Sequence, residues 1–598
     1  MAVKQILPEP VLATIRPISL SMHEIEVELN FPAEAVEGGA VLALPAWTPG
    51  SYLVRDYARF LDRLEVVDGA GQPSPFRKLD KQRWSVEGSP RGLKVTYRLF
   101  CNDLTVRTNH VDALHAHLVG AATFLYLEGQ PSRPCEVRFE GWPKGWRVAT
   151  ILPRREGSYL AEDHDTLVDS PFELGTFRMH TFRSRGCEFQ VAITGQHPGD
   201  EARIVEGTEA IVGAAARIFG GFPFRRYLFL LTFCPRIRGG LEHRDCTSLL
   251  ADPQQLERAD GYYDLYTLIA HEFFHVWNVK RMRDAALGPF DYLAENPTRL
   301  LWFHEGFTSF IQYDLVLKAG VAPWSWVSRK LAASWTDNTT RPGRLEQSLE
   351  EASFDAWIRH YKPTEFSPNS TVSYYDMGAM VGWMMDAELR LATGGAKGLD
   401  GLFALLWERH GDGHVTDPDV RRAFQDLTGK DPQAFWSAHI QGRAPLDAAG
   451  IEKAYGIRLN ARAPWEALPG AEAEDPDALR RARVWAGLTF QPGAPVVQNV
   501  VPGSPAAKGG LGYGMEILAV DGWRTASAQE VQGRLGDAGP GDQVRILAAE
   551  RGRVETYLLT LAENPQRVVH ITADLKATPA QKAAFQAWTG QPFPVRRA

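Results

Sequence analysis

The apolar residues change period partway along the chain, and that change limits what it can fold into. From about Ile15 to Phe182 they alternate in short runs such as HEIEVELNF and GLKVTYRLF, separated by Gly, Pro and Asp clusters, the pattern of strands and turns. From about Pro297 to Gly450 they return every three or four positions in Trp-rich segments, the pattern of amphipathic helices. Between these lie a helical stretch from about Asp200 to Phe222 closing on Gly220 and Gly221, the apolar runs YLFLLTF and CTSLLA with a Gly-containing loop between them, and a further helix beginning near Tyr262. A chain of 598 residues with such shifts is too long for one core. The expectation is a multidomain α+β protein: a β-rich domain over 1–182, a mixed unit over 183–298 and a helical domain over 299–465. EALPGAEAEDPDALRRA, near 466 to 482, reads as a linker to a small β module over 483–565, followed by a tail over 566–598 with one helix in TPAQKAAFQAW and a short basic end.

Composition narrows the function classes. With 65 basic against 72 acidic side chains the formal charge is -7, which argues against a nucleic-acid partner. The hydrophobic fraction of 44% suits a packed interior, and no apolar run reaches the length of a membrane span, so integral membrane association is not expected. Pro8, Pro10 and Pro17 break the N-terminal stretch where an export leader would need its apolar run, and the expected location is cytoplasmic. Five scattered cysteines lack the C-x-x-C spacing of a thiolate metal site and read as free thiols.

The sharpest local signal is HEFFH at 271–275. Histidines four apart lie on one helix face, so His271 and His275 can chelate one metal ion. Zinc suits them, because it accepts neutral imidazole nitrogen and in catalytic sites takes three protein ligands. Glu272 would project beside the ion, within reach of a proton on a water there. A chance histidine pair on a surface or core helix is the competing reading, and the helical flanks YTLIA, Phe273 and Phe274 weigh against it. The third ligand is expected to be Glu305 in WFHEGF, within a second helix: a carboxylate among Trp302, Phe303 and Phe307 is costly to bury unless paired or metal-bound. Gly306 beside it admits another backbone or a substrate. His304 competes as a ligand but points along another direction of the helix.

HEFFH followed at long spacing by W-F-x-E-G-F resembles the gluzincin type of zinc aminopeptidase. HEFFHVWNVKR, the early PGSYLVRDYARF at 49–60 and the C-terminal module resemble more narrowly the glycyl aminopeptidase family, whose members carry a C-terminal PDZ domain. The 29 residues between His275 and Glu305 exceed the gap of the large leucyl and alanyl aminopeptidases. The resemblance implies a thermolysin-like catalytic unit, one Zn2+ per chain, and removal of an N-terminal Gly or Ala from peptides with a free amine. It also implies two further roles. GGLEH at 239–243 is similar to the G-x-M-E-N signature that grips the substrate's free amine, which makes Glu242 the matching carboxylate with Gly239 and Gly240 beside it. His243 stands where the wider group has Asn, which leaves its role open, and for Glu242 the bland alternative is a solvated turn residue. Tyr375 in SYYDMGA aligns with the tyrosine that donates to the developing oxyanion, although Tyr374 is adjacent and Met377 stands where relatives often have Lys.

The module reading RVWAGLTF, VVQNVVPGSPAAKGGLGYGMEILAVDG and PGDQVRILAAERG is similar in strand and turn order to the PDZ domains of bacterial proteases, with Met515 where Asp is usual. Trp485, Ala486, Gly487 and Leu488 would then form the loop and strand that receive a peptide carboxylate or an added strand, or the module only packs against the peptidase. Two other functions stay open from the sequence: an endopeptidase using the same centre, and a peptide-binding scaffold with a vestigial metal site.

Overall fold

The computed structural model describes residues 8–466 and 475–594. Residues 467–474 of the expected linker and the basic end fall outside the described residues, and the rest of that stretch is not a bare linker, since Pro476–Ala482 is a helix. The chain divides into two compact units, one of Met1–Thr298, Ile311–Ala322 and Phe403–Asp419, the other of Arg299–Phe310, Pro323–Leu402 and Val420–Ala598. Together they make a multidomain α+β protein whose N-terminal part is β-rich and whose later part is largely helical.

The first unit opens with a seven-stranded sheet and two four-stranded sheets. Strict alternation drives the largest: along Glu24–Phe31 every second side chain, Ile25, Val27, Leu29 and Phe31, is buried, and the strand pairs antiparallel with Val11–Ser19 on one side and Leu93–Phe100 on the other. A five-stranded mixed sheet follows. Its central strand, Arg226–Phe233, is flanked by parallel neighbours Cys187–Thr194 and Cys246–Ala251 and is buried on both faces, as its unbroken apolar run requires. The helix Glu201–Phe219 begins where the Asp200 side chain accepts from the Ala202 N–H and ends at Gly220, whose φ of 78° closes the last turn. The sheet starts at Arg178, a few residues before the composition change.

GGLEH differs from its expected loop. Gly239–Glu242 is an edge strand, paired antiparallel with Cys246–Ala251, so the chain makes a hairpin there and its carboxylate sits at a strand end. The helix Ala259–Phe274 packs against this edge strand.

The second unit is mainly helical. Its Trp-rich pattern resolves into a cluster in which Trp324, Trp383 and Phe310 meet Trp588 of the C-terminal helix Pro579–Thr589, a helix opened by a Thr578–Gln581 capping box. The module between Val484 and Glu563 has a core of its own, including Val497, Ile517, Val531, Ile546 and Leu559. Asn369 ties this module to the helices: its Nδ2 donates to Asn499 Oδ1 at 2.8 Å and to the Val500 carbonyl at 2.9 Å.

Glu305 lies in Trp302–Phe307, a π-helical turn that runs into the α-helix Thr308–Lys318, rather than in a uniform α-helix. Against it packs the helix Asp376–Ala392, and the two touch through backbone. A Cβ on Gly306 would sit 2.5 Å from the Tyr374 carbonyl oxygen and 2.7 Å from Cα of Gly378, so only glycine fits. Gly306→Ala is therefore expected to cost about 1–3 kcal/mol through forced backbone displacement, seen as a lowered denaturation midpoint; an unchanged midpoint contradicts this packing.

Candidate active site

His271 and His275 stand one helical turn apart near the end of Ala259–Phe274, with ring centroids 4.7 Å apart. Nδ1 of His275 is 2.6 Å from the carbonyl oxygen of Asn278. A carbonyl only accepts, so Nδ1 carries the proton and Nε2 keeps its lone pair for a metal ion. Potential ligand atoms of His271, His275 and Glu305 all lie within 4.8 Å of one another. Two nitrogens and one carboxylate oxygen match the donors and the number of protein ligands of a catalytic zinc. Glu305 is 2% exposed.

Glu242, Glu272 and His275 form a second group within the same limit, so the base candidate and the amine-binding candidate share one neighbourhood with a ligand candidate. The paired glycines explain how. A Cβ on Gly240 would fall 2.0 Å from Glu272 Oε1, so the edge strand passes over the Glu272 carboxylate at a separation only glycine allows. Gly239 is less constrained, its nearest neighbour being 3.7 Å from an added Cβ. Glu242 is 3% exposed, and among the described residues its Oε1 has no hydrogen-bond partner. Gly50, in the PGSYL segment, covers that oxygen: its Cβ would lie 2.6 Å away. A cavity of about 20 Å³ adjoins Glu242, walled by Trp47, Tyr52, Leu287 and Phe290 and by the cationic Lys280 and Arg283.

The role left open for His243 has a structural answer. Its Nδ1 lies 3.1 Å from Asp169 Oδ1, which Lys280 Nζ also meets at 2.7 Å, while the Arg244 N–H donates to Asp169 Oδ2 at 2.8 Å. Burial works to raise the Asp169 carboxyl, but Lys280 and His243 outweigh it and hold it well below the usual carboxylate range. This charged knot fixes the chain immediately after Glu242.

Tyr375 stands at the N-terminus of Asp376–Ala392, its hydroxyl 3.0 Å from that of Tyr361 and its ring 5.5 Å from His360. Burial, reinforced by the negative charge of Glu305, pushes its phenol well above its ordinary value, which keeps it a proton donor. Tyr374, its neighbour, is fully buried.

Sequence reasoning did not find the Asn278 carbonyl, Gly50, Asp169 or Tyr361. Asn278 had a signal, since it follows the second histidine by three residues at the point where the helix ends. The other three come from distant segments. His304 is buried at 0% exposure and belongs to neither group of clustered ligand atoms around His275.

The peptidase M61 N-terminal domain matches residues 13–176 and the M61 glycyl aminopeptidase domain matches residues 264–381. No curated protein matches the chain. Among solved structures, an aminopeptidase N family protein from Idiomarina loihiensis is 29% identical with a TM-score of 0.89, covering 97% of this chain and 100% of its own. An M1 zinc metallopeptidase from Deinococcus radiodurans is 15% identical with a TM-score of 0.45, covering 73% of this chain and 95% of its own. The two domain matches bracket the strand of Glu242 and take in the paired imidazoles, Glu305 and Tyr375, and on that footing the chain carries the domains of the M61 glycyl aminopeptidase family and is a metallo-aminopeptidase.

Proposed function

We propose that this enzyme is a zinc-dependent aminopeptidase that releases a small N-terminal residue, Gly or Ala, from peptides with a free amine. The observation that carries the reading is Glu242 Oε1, a carboxylate oxygen buried at a strand end without a protein partner among the described residues. Burying such an oxygen costs free energy unless a cation completes it, and a substrate ammonium does so with a charge-assisted hydrogen bond. His271, His275 and Glu305 would hold one Zn2+ per chain in a thermolysin-like unit. Bound there, zinc supplies a Lewis acid that polarises the scissile carbonyl and lowers the pKa of water.

The chain's own groups do the rest. Glu242 fixes the α-ammonium, which limits cleavage to the first peptide bond. Glu272 takes a proton from the attacking water and returns it to the leaving amine. Tyr375 donates its O–H to the negative charge growing on the carbonyl oxygen. Preference for Gly or Ala is what the family resemblance implies, and the cavity of about 20 Å³ beside Glu242, lined by Trp47, Pro49, Tyr52 and Phe290 together with Lys280 and Arg283, is small enough to agree with it. It has room for a group about the size of one water.

The module at 484–563 is proposed to be a PDZ domain that binds a peptide C-terminus or strand. Its strand Leu488–Phe490 pairs on one side only among the described residues, with Val497–Val500, leaving an edge for strand addition. Trp485, Ala486 and Gly487 lead into that edge, and Gly487 has a φ of 75° with Ser504 Cβ 2.2 Å from where its own Cβ would be.

N-acetylation of a glycyl peptide is expected to abolish its hydrolysis, and Glu242→Gln to lower kcat/KM on the free peptide about 10- to 100-fold, the loss of a charged hydrogen bond of ~1.5–3 kcal/mol. Undiminished cleavage of the blocked peptide would make the enzyme an endopeptidase. Tyr375→Phe should lower kcat about 10²–10³-fold with zinc content unchanged. Gly240→Ala, which pushes a methyl into the Glu272 carboxylate, should retain zinc yet lose about 10²-fold in kcat. Normal turnover in that variant rules out Glu272 as the base in this position.

A further inference from the structure

A second group of metal-ligand side chains lies in the four-stranded sheet that contains His110–Val111, His115–Leu118 and Phe172–Gly175. Register places it there. His110 pairs with His117, and His117 pairs with Glu173, so these three side chains line up across one face of the sheet, with His115 two residues along on the same face. All four are buried, at 8%, 5%, 1% and 6% exposure for His110, His117, Glu173 and His115.

The hairpin joining the first two strands supplies a carboxylate. Asp112 Oδ1 accepts the backbone N–H groups of Leu114 and His115 at 2.7 and 2.9 Å, which fixes the side chain and leaves Oδ2 facing His110 Nε2 at 3.2 Å. Two ligand atoms of one tetrahedral zinc, each about 2.0–2.1 Å from the ion, stand about 3.3 Å apart. His115 is oriented by its other nitrogen: Nδ1 meets Glu173 Oε1 at 2.9 Å, so Nε2 is left to coordinate. Glu173 is itself steadied by the Thr194 hydroxyl at 2.8 Å and by His117 Nδ1 at 3.2 Å. This carboxylate–histidine pairing is the usual support of a metal-binding imidazole. Ligand atoms of His110, Asp112 and His115 all lie within 4.8 Å of one another. Nδ1 of His110 and Nε2 of His117 are also buried with no hydrogen-bond partner among the described residues, although neither nitrogen is one of these ligand atoms.

We propose that His110, Asp112 and His115 form a second site for a divalent transition metal of the zinc class, separate from the HEFFH helix, that pins the hairpin of the N-terminal domain. The recognising chemistry is two neutral imidazoles and one carboxylate oxygen, with the coordination completed by solvent.

The test is zinc content of the whole protein, stripped with chelator, reloaded at one buffered Zn2+ concentration and desalted. Wild type is expected to carry one more zinc per chain than Asp112→Asn, a near-isosteric change that keeps an oxygen for the two turn amides. Glu305→Gln is expected to retain the zinc that Asp112→Asn loses, which separates this site from the catalytic reading. If Asp112→Asn does not reproduce the wild-type circular dichroism spectrum, His110→Gln provides the same comparison. Equal zinc content in wild type and the folded variant overturns the proposal and leaves the cluster a proton-sharing polar layer. Loss of one equivalent per chain in the variant, with the remainder sensitive to Glu305→Gln, establishes it.

Discussion

Two carboxylates buried beside one imidazole set the terms for the site: ligand atoms of Glu242, Glu272 and His275 lie within 4.8 Å of one another, and the two acids are 3% and 5% exposed. Each loses hydration worth several kcal/mol, a cost that repulsion between like charges raises further. On the proposed reading, a divalent ion beside His275 and a substrate ammonium at Glu242 would offset that cost. Catalytic competence and electrostatic strain thus share one origin.

The scaffold spends much of its specificity on keeping these groups still. The Asn278 carbonyl selects the His275 tautomer, and the Asp169 knot holds the chain that follows Glu242. Tyr361 hydrogen-bonds the phenol of Tyr375. None of these supports needs to touch substrate. Their contribution is to remove the reorganisation that a mobile site would undergo during the reaction.

Much of this was legible in the sequence, and the limits have physical reasons. Helix period and histidine spacing locate His271, Glu272 and His275 because the relevant geometry is local, within about one turn. Alternation locates the strands of the N-terminal domain, and a continuous apolar run locates Arg226–Phe233. Gly239–Glu242 reads as loop because two glycines carry no strand propensity; the partner strand Cys246–Ala251, not the residues themselves, makes it a strand. The π-helical turn around Glu305 has the same local composition as an α-helix and is set by what packs on it. Gly50, Asp169 and Tyr361 act across long sequence separations, and no period or motif encodes such a meeting. The HxDxxHxH run at 110–117 shows the same limit, since its meaning comes from Glu173 in the next strand.

The contact of Gly306 with Gly378 has a consequence for how this chain can vary. Most tight interior contacts admit a trade, in which one side chain grows while its neighbour shrinks. Here both partners already have the smallest residue, and a Cβ on Gly378 would itself lie 2.8 Å from Cα of Gly306, so neither can give way to the other. No exchange of volume between the two can relieve a larger residue at either position. Drift at this crossing is closed to single steps and to paired ones alike, and the segments bearing Glu305 and Tyr375 inherit a fixed spacing.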